Sequence, residues 1–283
     1  MRTVTFKSVM WGIARLAGLS PESSDLSQES ADTIVEFINR RVREGWENSW
    51  WPELMCLEER YYRTDWEVGT GYVAGDEVWH ATTGAYWRCS VAHTGQEPVD
   101  GSAYWEEPDD LDRYVPYELG TLTPIGETKG IFKNNPRQNP DTAYELAFEV
   151  SENGIQVGTE AGNTVWIHFR RRPASFTGTP YGAGTGYVAG DLVYYGTTGE
   201  VYRALNGTTG NLPTDAEHWE KVDFPYVIGE FVKMAGYSDW LRNDGQTEKS
   251  VAEEERGWGE LERAADVALS AQGSTSRARV RVA

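Results

Sequence analysis

Two stretches of this chain are nearly the same. Residues Gly69–Arg88 are GTGYVAGDEVWHATTGAYWR, and residues Gly184–Arg203 are GTGYVAGDLVYYGTTGEVYR. The two stretches lie 115 residues apart and are identical at 13 of 20 positions, and the likeness continues to a Gly-x-x-Pro and a Trp in each. Internal repetition of this kind indicates two copies of one supersecondary unit. We therefore predict two small modules, at 66–108 and 182–222.

Each copy is expected to be a small β unit. Thr82-Thr83-Gly84 and Thr197-Thr198-Gly199 are typical of hairpin turns, in which glycine supplies a positive φ. A unit of about 40 residues without disulfide or metal is only marginally stable, and the two cysteines, Cys56 and Cys89, form no disulfide framework. We therefore expect large aromatic side chains to build the core of each module, which accounts for much of the 12 Trp and 15 Tyr.

The motif order in each copy is Tyr-x-x-Gly-Asp-x-Val-aromatic, hairpin, aromatic-Arg, Gly-x-x-Pro and Trp. This order resembles the small chitin-binding modules of bacterial chitinases, and the resemblance implies a glycan ligand that stacks on exposed rings. The alternative is that the same rings form the module cores or pack on neighbouring parts of the chain. The matching positions are Trp79, Trp87 and Trp105 in the first copy and Tyr194, Tyr202 and Trp219 in the second.

The chain outside the two copies falls into helical and β segments. Residues 1–65 show helical spacing of apolar side chains, with Ser27 or Ser30 as the cap of a second helix that Pro52 stops. In residues 109–181, Tyr144, Leu146, Phe148 and Val150 alternate, Asn153-Gly154 indicates a turn, and Thr164–Arg170 indicates a strand.

The last segment, residues 223–283, contains a long acidic helix that is predicted from about Gln246 to Ala271. The fold class expected for the whole chain is α+β. Helical N- and C-terminal segments surround a small antiparallel β block, and two three-stranded β modules are inserted. The expected domain boundaries are 1–65, 66–108, 109–181, 182–222 and 223–283.

The final ten residues, Ser274–Ala283, alternate basic and small apolar side chains. In a strand the arginines would face one way and the apolar residues the other. Such a segment cannot pack alone, and we expect it to be disordered until it adds to a partner as a strand. The alternative is a frayed tail that offsets the acidic helix before it. The residues predicted to form a docking arm are Arg277, Arg279, Val280, Arg281 and Val282.

The segments outside the modules show a second resemblance. Two N-terminal helices precede a β block with Thr-Val-Trp-Ile-x-Phe-Arg-Arg-Arg-Pro, then Tyr-Ser-Asp-Trp-Leu-Arg-Asn-Asp-Gly-Gln, an acidic helix and an Arg-rich tail. This order resembles the head–tail connector (adaptor) proteins of tailed bacteriophages. The resemblance implies a structural virion protein of the neck, assembled in the host cytoplasm. It also implies a homo-oligomeric ring, a dodecamer, that binds the portal protein through the arm and a downstream tail or neck protein.

The resemblance to the adaptors further implies that DNA passes through the lumen of the ring without specific binding. The two modules are not part of the adaptor pattern, and we expect them to point outward and to be removable without loss of assembly. The alternative function is a carbohydrate-binding decoration or adhesin protein of the virion, and a third is a glycan-degrading enzyme with two binding modules.

The charge and the composition exclude several functions. The 44 acidic and 26 basic residues give a net charge of −18, which opposes general binding to nucleic acid phosphates or to an anionic membrane surface. No apolar run approaches the roughly 20 residues of a membrane span, and no signal peptide is visible. An acidic lumen would also let DNA slide without adhering to it.

The motifs of catalysis are missing from the sequence. There is no nucleophile elbow, phosphate loop or dinucleotide fingerprint. The four histidines are scattered without metal-ligand spacing. We therefore predict no catalytic residue, no metal, no cofactor and no enzymatic activity. The histidines are His80, His93, His168 and His218.

Overall fold

The computed structural model describes residues 1–19, 27–109, 114–118, 122–138, 144–158 and 162–271. Within these ranges the chain is α+β, with four α-helices and small antiparallel sheets, as the sequence predicts. The chain divides into two compact units, one of residues 1–54 with 173–283 and one of residues 55–172. The helices are α1 (Phe6–Leu16), α2 (Gln28–Glu47), α3 (Tyr226–Asn243) and α4 (Thr247–Ala271), with a 3-10 turn at Pro52–Leu54.

The strands of the described ranges are short. Those of the second unit are β2 (Met55–Tyr61), β3 (Gly71–Tyr72), β4 (Glu77–His80), β5 (Ala85–Cys89), β6 (His93–Thr94), β7 (Trp105–Glu106), β8 (Tyr114–Pro116), β9 (Ile125–Phe132), β10 (Glu145–Leu146), β11 (Phe148–Val150), β12 (Gly154–Val157) and β13 (Thr164–Arg171). Those of the first unit are β1 (Thr3–Val4), β14 (Gly186–Tyr187), β15 (Leu192–Tyr195), β16 (Glu200–Ala204), β17 (Thr208–Thr209), β18 (Trp219–Val222) and β19 (Phe224–Pro225).

Helix α3 is the central element of the first unit, because it packs against α1, α2 and α4. Its buried residues therefore include Ile228, Phe231 and Leu241, which do not share one face. Glycine lets the neighbouring helices approach closely. A Cβ at Gly45 of α2 would lie 2.9 Å from the Phe231 ring, and a Cβ at Gly236 of α3 would lie 2.7 Å from an Ile13 methyl group.

The predicted start of α2 is confirmed, but its predicted end is wrong, because α2 ends at Glu47 and Pro52 begins a 3-10 turn. The Ser27 hydroxyl accepts a hydrogen bond from the Ser30 N–H at 3.1 Å, so Ser27 is the cap of α2. The long C-terminal helix begins at Thr247, one residue after the predicted start, and the turn before it contains Gly245 with a φ of 77°. Val4 lies in the N-terminal segment that the spacing of apolar side chains predicts to be helical, but it pairs with Phe224 in a two-stranded sheet.

A buried ion cluster joins three of these helices. The Arg41 guanidinium of α2 donates to both oxygens of Asp239 on α3, at 2.7 and 2.8 Å, and to Glu254 on α4 at 2.9 Å. Burial alone would lower the pKa of Arg41, but the hydrogen bonds to Asp239 and Glu44 outweigh it and raise that pKa. Burial would likewise raise the pKa of Glu254, but hydrogen bonds from Arg242 and Arg41 hold it below its ordinary value. Both shifts favour the charged forms of Arg41 and Glu254.

The second unit is built on a four-stranded antiparallel sheet in the order β10-β9-β13-β2. The predicted strand at 164–170 is confirmed as its long central strand, β13. Its inward residues Val165, Ile167 and Phe169 are at most 1% exposed and form a core with Ile131 of β9.

The alternating stretch at 144–150 is not one strand. Leu146 belongs to β10 and pairs with β9, whereas Phe148–Val150 form β11 of a separate sheet in the order β11-β12-β8. Tyr144 and Val150 are 68% and 64% exposed, so the alternation does not mark a single buried face. The predicted turn at Asn153-Gly154 is confirmed, since it connects β11 to β12.

Replacement of Asp239 by Ala should destabilise the helical unit by about 3 kcal/mol, since it leaves the buried Arg41 charge without its main partner. The free energy of unfolding would be measured by urea denaturation followed by circular dichroism at 222 nm. The matched control is Arg256→Ala, which removes an exposed pair with Glu253 and should cost less than about 1 kcal/mol. Equal losses in the two variants would contradict the assigned role of the cluster.

Candidate functional site

The two copies of the repeat fold in the same way. Each contains a three-stranded sheet, β4-β5-β7 in the first copy and β15-β16-β18 in the second. The Gly-Asp motif has the same function in both, because the aspartate side chain closes the turn before the strand. Asp76 accepts from the Val73 N–H at 2.7 Å, and Asp191 accepts from the Val188 N–H at 2.8 Å. The predicted hairpin glycines, Gly84 and Gly199, have φ values of 66° and 74°.

The structural repeat begins before the stretch that the sequence comparison detects. The Trp66 N–H donates to the Trp79 carbonyl at 2.8 Å, and the Tyr181 N–H donates to the Tyr194 carbonyl at 2.9 Å. Trp66 and Tyr181 are therefore equivalent. Backbone pairing depends little on side-chain identity, so Trp66 and Tyr181 occupy the same position in the two copies although their side chains differ.

Four of the six candidate glycan-stacking rings lie inside the modules. Trp87 and Trp105 are each 3% exposed, Tyr202 is 8% exposed and Trp219 is 2% exposed. The indole N–H of Trp105 and that of Trp219 each donate to a backbone carbonyl, at 2.8 and 3.1 Å. A ring this deeply buried has no face free for a sugar, and we assign these four residues to the module cores.

The other two candidate rings lie where each module joins its own unit. Trp79 meets the Tyr86 ring at a centroid distance of 4.7 Å and packs against the core of the four-stranded sheet. Tyr194, at the equivalent position, packs against the helical core, with its ring 5.9 Å from that of Phe6. The same face of both copies therefore attaches the module to its host.

The second copy contributes directly to the helical core. Val201 is fully buried and Val222 is 5% exposed among the helix side chains. The Glu200 carboxylate accepts the Phe6 N–H at 3.2 Å in the first turn of α1, and burial raises the pKa of Glu200. The expectation that both copies are removable appendages is therefore corrected, because removal of 182–222 would also remove part of this core.

One module ring that was not among the candidates is more accessible. Tyr104, directly before the buried Trp105, is 36% exposed, and its ring centroid lies 5.3 Å from that of His93. In the second copy His218 precedes the equivalent tryptophan, so the two copies do not present the same surface there. No sequence signal separates Tyr104 from the core aromatics around it.

A cleft of about 500 Å³ opens in the helical unit. Its base includes the buried rings of Trp51 and Phe231, and part of one wall is formed by Ala264, Val267 and Ala268 of α4. The sequence gives no sign of this cleft. The remaining residues that line it are Arg2, Pro52, Glu53, Tyr226, Val227, Glu230, Glu260 and Arg263.

The rim of this cleft is charged. The Arg2 guanidinium bonds Glu53 Oε1 at 2.7 Å, and Arg263 bonds Glu260 at 2.8 Å. The second carboxylate oxygen of Glu53, Oε2, is buried and has no hydrogen-bond partner among the described residues. The cleft therefore combines an apolar base with a carboxylate oxygen that lacks a donor.

The structure brings no histidine cluster together. Within the described ranges, no group of three His, Cys, Asp or Glu side chains is placed to hold a metal ion. Burial lowers the pKa of His168, and the nearby Lys129 and Arg137 lower it further. The predicted arm residues Arg277, Arg279, Val280, Arg281 and Val282 lie outside the described residues.

We expect Trp87→Ala and Tyr202→Ala each to destabilise its unit by about 3–5 kcal/mol, because each leaves a cavity in a small core. Thermal and urea unfolding would measure the loss, and retention on chitin beads would be measured in parallel. Tyr104→Ala is the control, and it should change stability by less than about 1 kcal/mol. Unchanged stability of the Trp87 and Tyr202 variants would contradict their assignment to the core.

A second prediction follows from the raised pKa of Glu200. The folded chain holds the Glu200 proton more tightly than the unfolded chain. The free energy of unfolding therefore falls as the pH rises from the pKa of this group in the unfolded chain, about 4.3, through its pKa in the folded chain. Glu200→Gln keeps an acceptor for the Phe6 N–H and removes the titration. Its melting temperature relative to wild type should therefore rise with pH across that window and then level off.

Glu220→Gln, a change at an exposed carboxylate of the same module, is the control and should show no such trend. Glu200→Ala should melt lower than Glu200→Gln at every pH, since the Phe6 N–H then loses its acceptor. A difference between Glu200→Gln and wild type that does not change with pH would contradict the prediction.

Comparisons with known proteins add no relative. No protein-family model matches this chain, and no curated protein matches it. Among the described residues, no helix combines the length and the apolar character that crossing a bilayer requires. The site therefore has to be interpreted from the residues of this chain.

Proposed function

We propose that this chain is a structural protein of a tailed-phage virion, a head–tail adaptor. Copies of it form a ring that joins the portal to the next tail or neck component, and DNA passes through the ring without specific binding. In this proposal the helical segments and the β block form the adaptor core. The two repeated modules are insertions fused to that core.

The observation that carries the proposal is a pair of uncovered apolar side chains on one face of α4. Leu261 faces the helical core and is 1% exposed, whereas Val251 and Leu269 are 48% and 63% exposed. The last two are 18 residues apart, which is five helical turns, so they lie on the same face of α4. Apolar side chains left uncovered along one helix support a contact with another subunit.

The charge supports the same proposal. The net charge of −18 opposes binding of phosphates along the lumen, so DNA can slide through an acidic ring. The Arg-rich arm is basic, whereas the chain as a whole is acidic. Its backbone can pair with a sheet edge of a portal subunit, and its arginines can bind carboxylates there.

A second candidate function is glycan binding by a decoration or adhesin protein. The partly exposed ring of Tyr104 is the observation that favours it, because an exposed aromatic ring suits stacking on a sugar. The six rings expected from the sequence support it less, since four are buried and two pack against their host units.

Native mass spectrometry and negative-stain images of the full chain, alone and with the portal protein of the same phage, would test the adaptor. We expect a closed ring. The double change Val251→Asp and Leu269→Asp should give folded monomers, because it places carboxylates in the subunit contact. The matched control Lys249→Gln with Arg256→Gln changes two exposed residues that lie about 160° and 140° from Val251 around α4, and it should leave the ring intact.

The arm is tested in the same assay. Deletion of 274–283 should leave the circular dichroism spectrum nearly unchanged but abolish stable association with the portal. Replacement of Arg277, Arg279 and Arg281 by Glu should weaken docking more than replacement by Gln, and more so at low salt. Arg256→Glu, at an exposed arginine of α4, is the control and should dock normally.

One result would overturn the adaptor proposal, and another would remove only the arm from it. One is a monomer, with and without portal, that is retained on chitin beads, which would favour the decoration or adhesin protein. The other is full-strength portal binding by the truncated chain, which would remove the arm from the proposal. Turnover of a glycan would support the third alternative, an enzyme.

A further inference from the structure

We propose that the cleft of the helical unit is a binding site for an extended peptide in which arginines alternate with small apolar residues. We further propose that its occupant is the chain's own segment Arg277–Val282. This goes beyond the proposed function, because docking of the arm to a portal requires no site for it on its own chain.

The cleft has the chemistry that such a segment needs. Its volume of about 500 Å³ lies within the 300–1,000 Å³ range of ligand pockets, enough for a few residues of peptide. The base is apolar at Trp51 and Phe231, and the carboxylates of Glu53, Glu230 and Glu260 line it. A peptide with apolar side chains on one face and guanidinium groups on the other matches both parts.

Glu53 is the most specific part of the site. Arg2 satisfies Oε1, but Oε2 is buried and no described residue donates to it. A buried carboxylate oxygen without a donor is costly, and buried polar groups in folded proteins are nearly always hydrogen-bonded. An incoming guanidinium can supply two parallel donors to a carboxylate. Glu53 therefore has one carboxylate oxygen left to accept a hydrogen bond from a guanidinium group that enters the cleft.

The position of the cleft favours the chain's own tail. Val267 and Ala268, in the last turns of α4, line the cleft, and α4 ends at Ala271. An extended chain advances about 3.3 Å per residue, so the ten residues that follow Gly273 can span roughly 30 Å. Attachment through a short connection also gives a high effective concentration, on the order of millimolar.

The side chains of the tail suit the chemistry of the cleft. Arg277, Arg279 and Arg281 would project from one side of a strand, and Val280 and Val282 from the other. The valines would contact the apolar base, while the arginines would meet the rim carboxylates. Residues 274–283 contain no acidic side chain, and the residues that line the cleft include three glutamates against two arginines, Arg2 and Arg263.

Disulfide trapping in the full-length chain tests the proposal. Ala264→Cys in the cleft is combined with Val280→Cys in the tail. The protein, at low micromolar concentration, is then treated with oxidised glutathione. The native Cys56 and Cys89 are buried, at 6% and 1% exposed. We expect a cross-linked species that runs as a monomer on a denaturing gel and yields one joined peptide in mass spectrometry.

The matched control pairs Glu262→Cys with Val280→Cys. Glu262 is exposed and lies about 200° from Ala264 around α4, at a similar distance from the tail. We expect it to cross-link far less. Adding Glu53→Gln to the cleft pair should lower the trapped fraction about tenfold, since it weakens a charged hydrogen bond, and added salt should lower it further.

Three results would overturn the proposal. One is equal trapping in the control pair, and another is no trapping in the cleft pair. The third is trapping mainly as dimers or ladders, which would show that the cleft takes the tail of a second copy. Each result can be told apart from failure of the adaptor proposal, because the trapping experiment needs neither a ring nor a portal.

Discussion

The constraint on which the described structure depends is that a module of about 40 residues buries too little apolar surface to be stable alone. Both copies meet this constraint by attaching one strand face to a larger core. The first copy contributes Trp79 and Tyr86 to the core of the sheet, and the second contributes Tyr194 and Val201 to the helical core. The aromatic rings that suggest a ligand site are therefore needed first for folding.

The helical unit meets a different constraint, because its central helix is surrounded. Helix α3 contacts three other helices, so apolar packing covers most of its surface. Arg41 and Asp239 form the polar exception, and their geometry fixes how α2 and α3 meet, since a bidentate pair allows little sliding. Glu254 adds α4 to the same cluster. Uncovered apolar side chains remain at the outer edge of α4, at Val251 and Leu269, and along the cleft.

Local signals made part of this structure predictable. A cap at Ser27 and the glycines of the two hairpins act through their own backbone, so one sequence was enough to place them. The sequence left both a core and a glycan-stacking role open for Trp87, because an aromatic residue in a strand has the same pattern in a core and on a surface. The cleft was not predictable either, since Arg2, Glu53 and Glu260 meet only after folding.

Attachment through one face has a consequence for how the two copies diverge. All seven differences between Gly69–Arg88 and Gly184–Arg203 fall within 77–87 and 192–202, in or beside the strands that meet the host cores. The turn residues before them are unchanged. Each copy therefore differs where it contacts its own core. If the two copies were exchanged, Tyr86 would take the place of Val201 in the helical core.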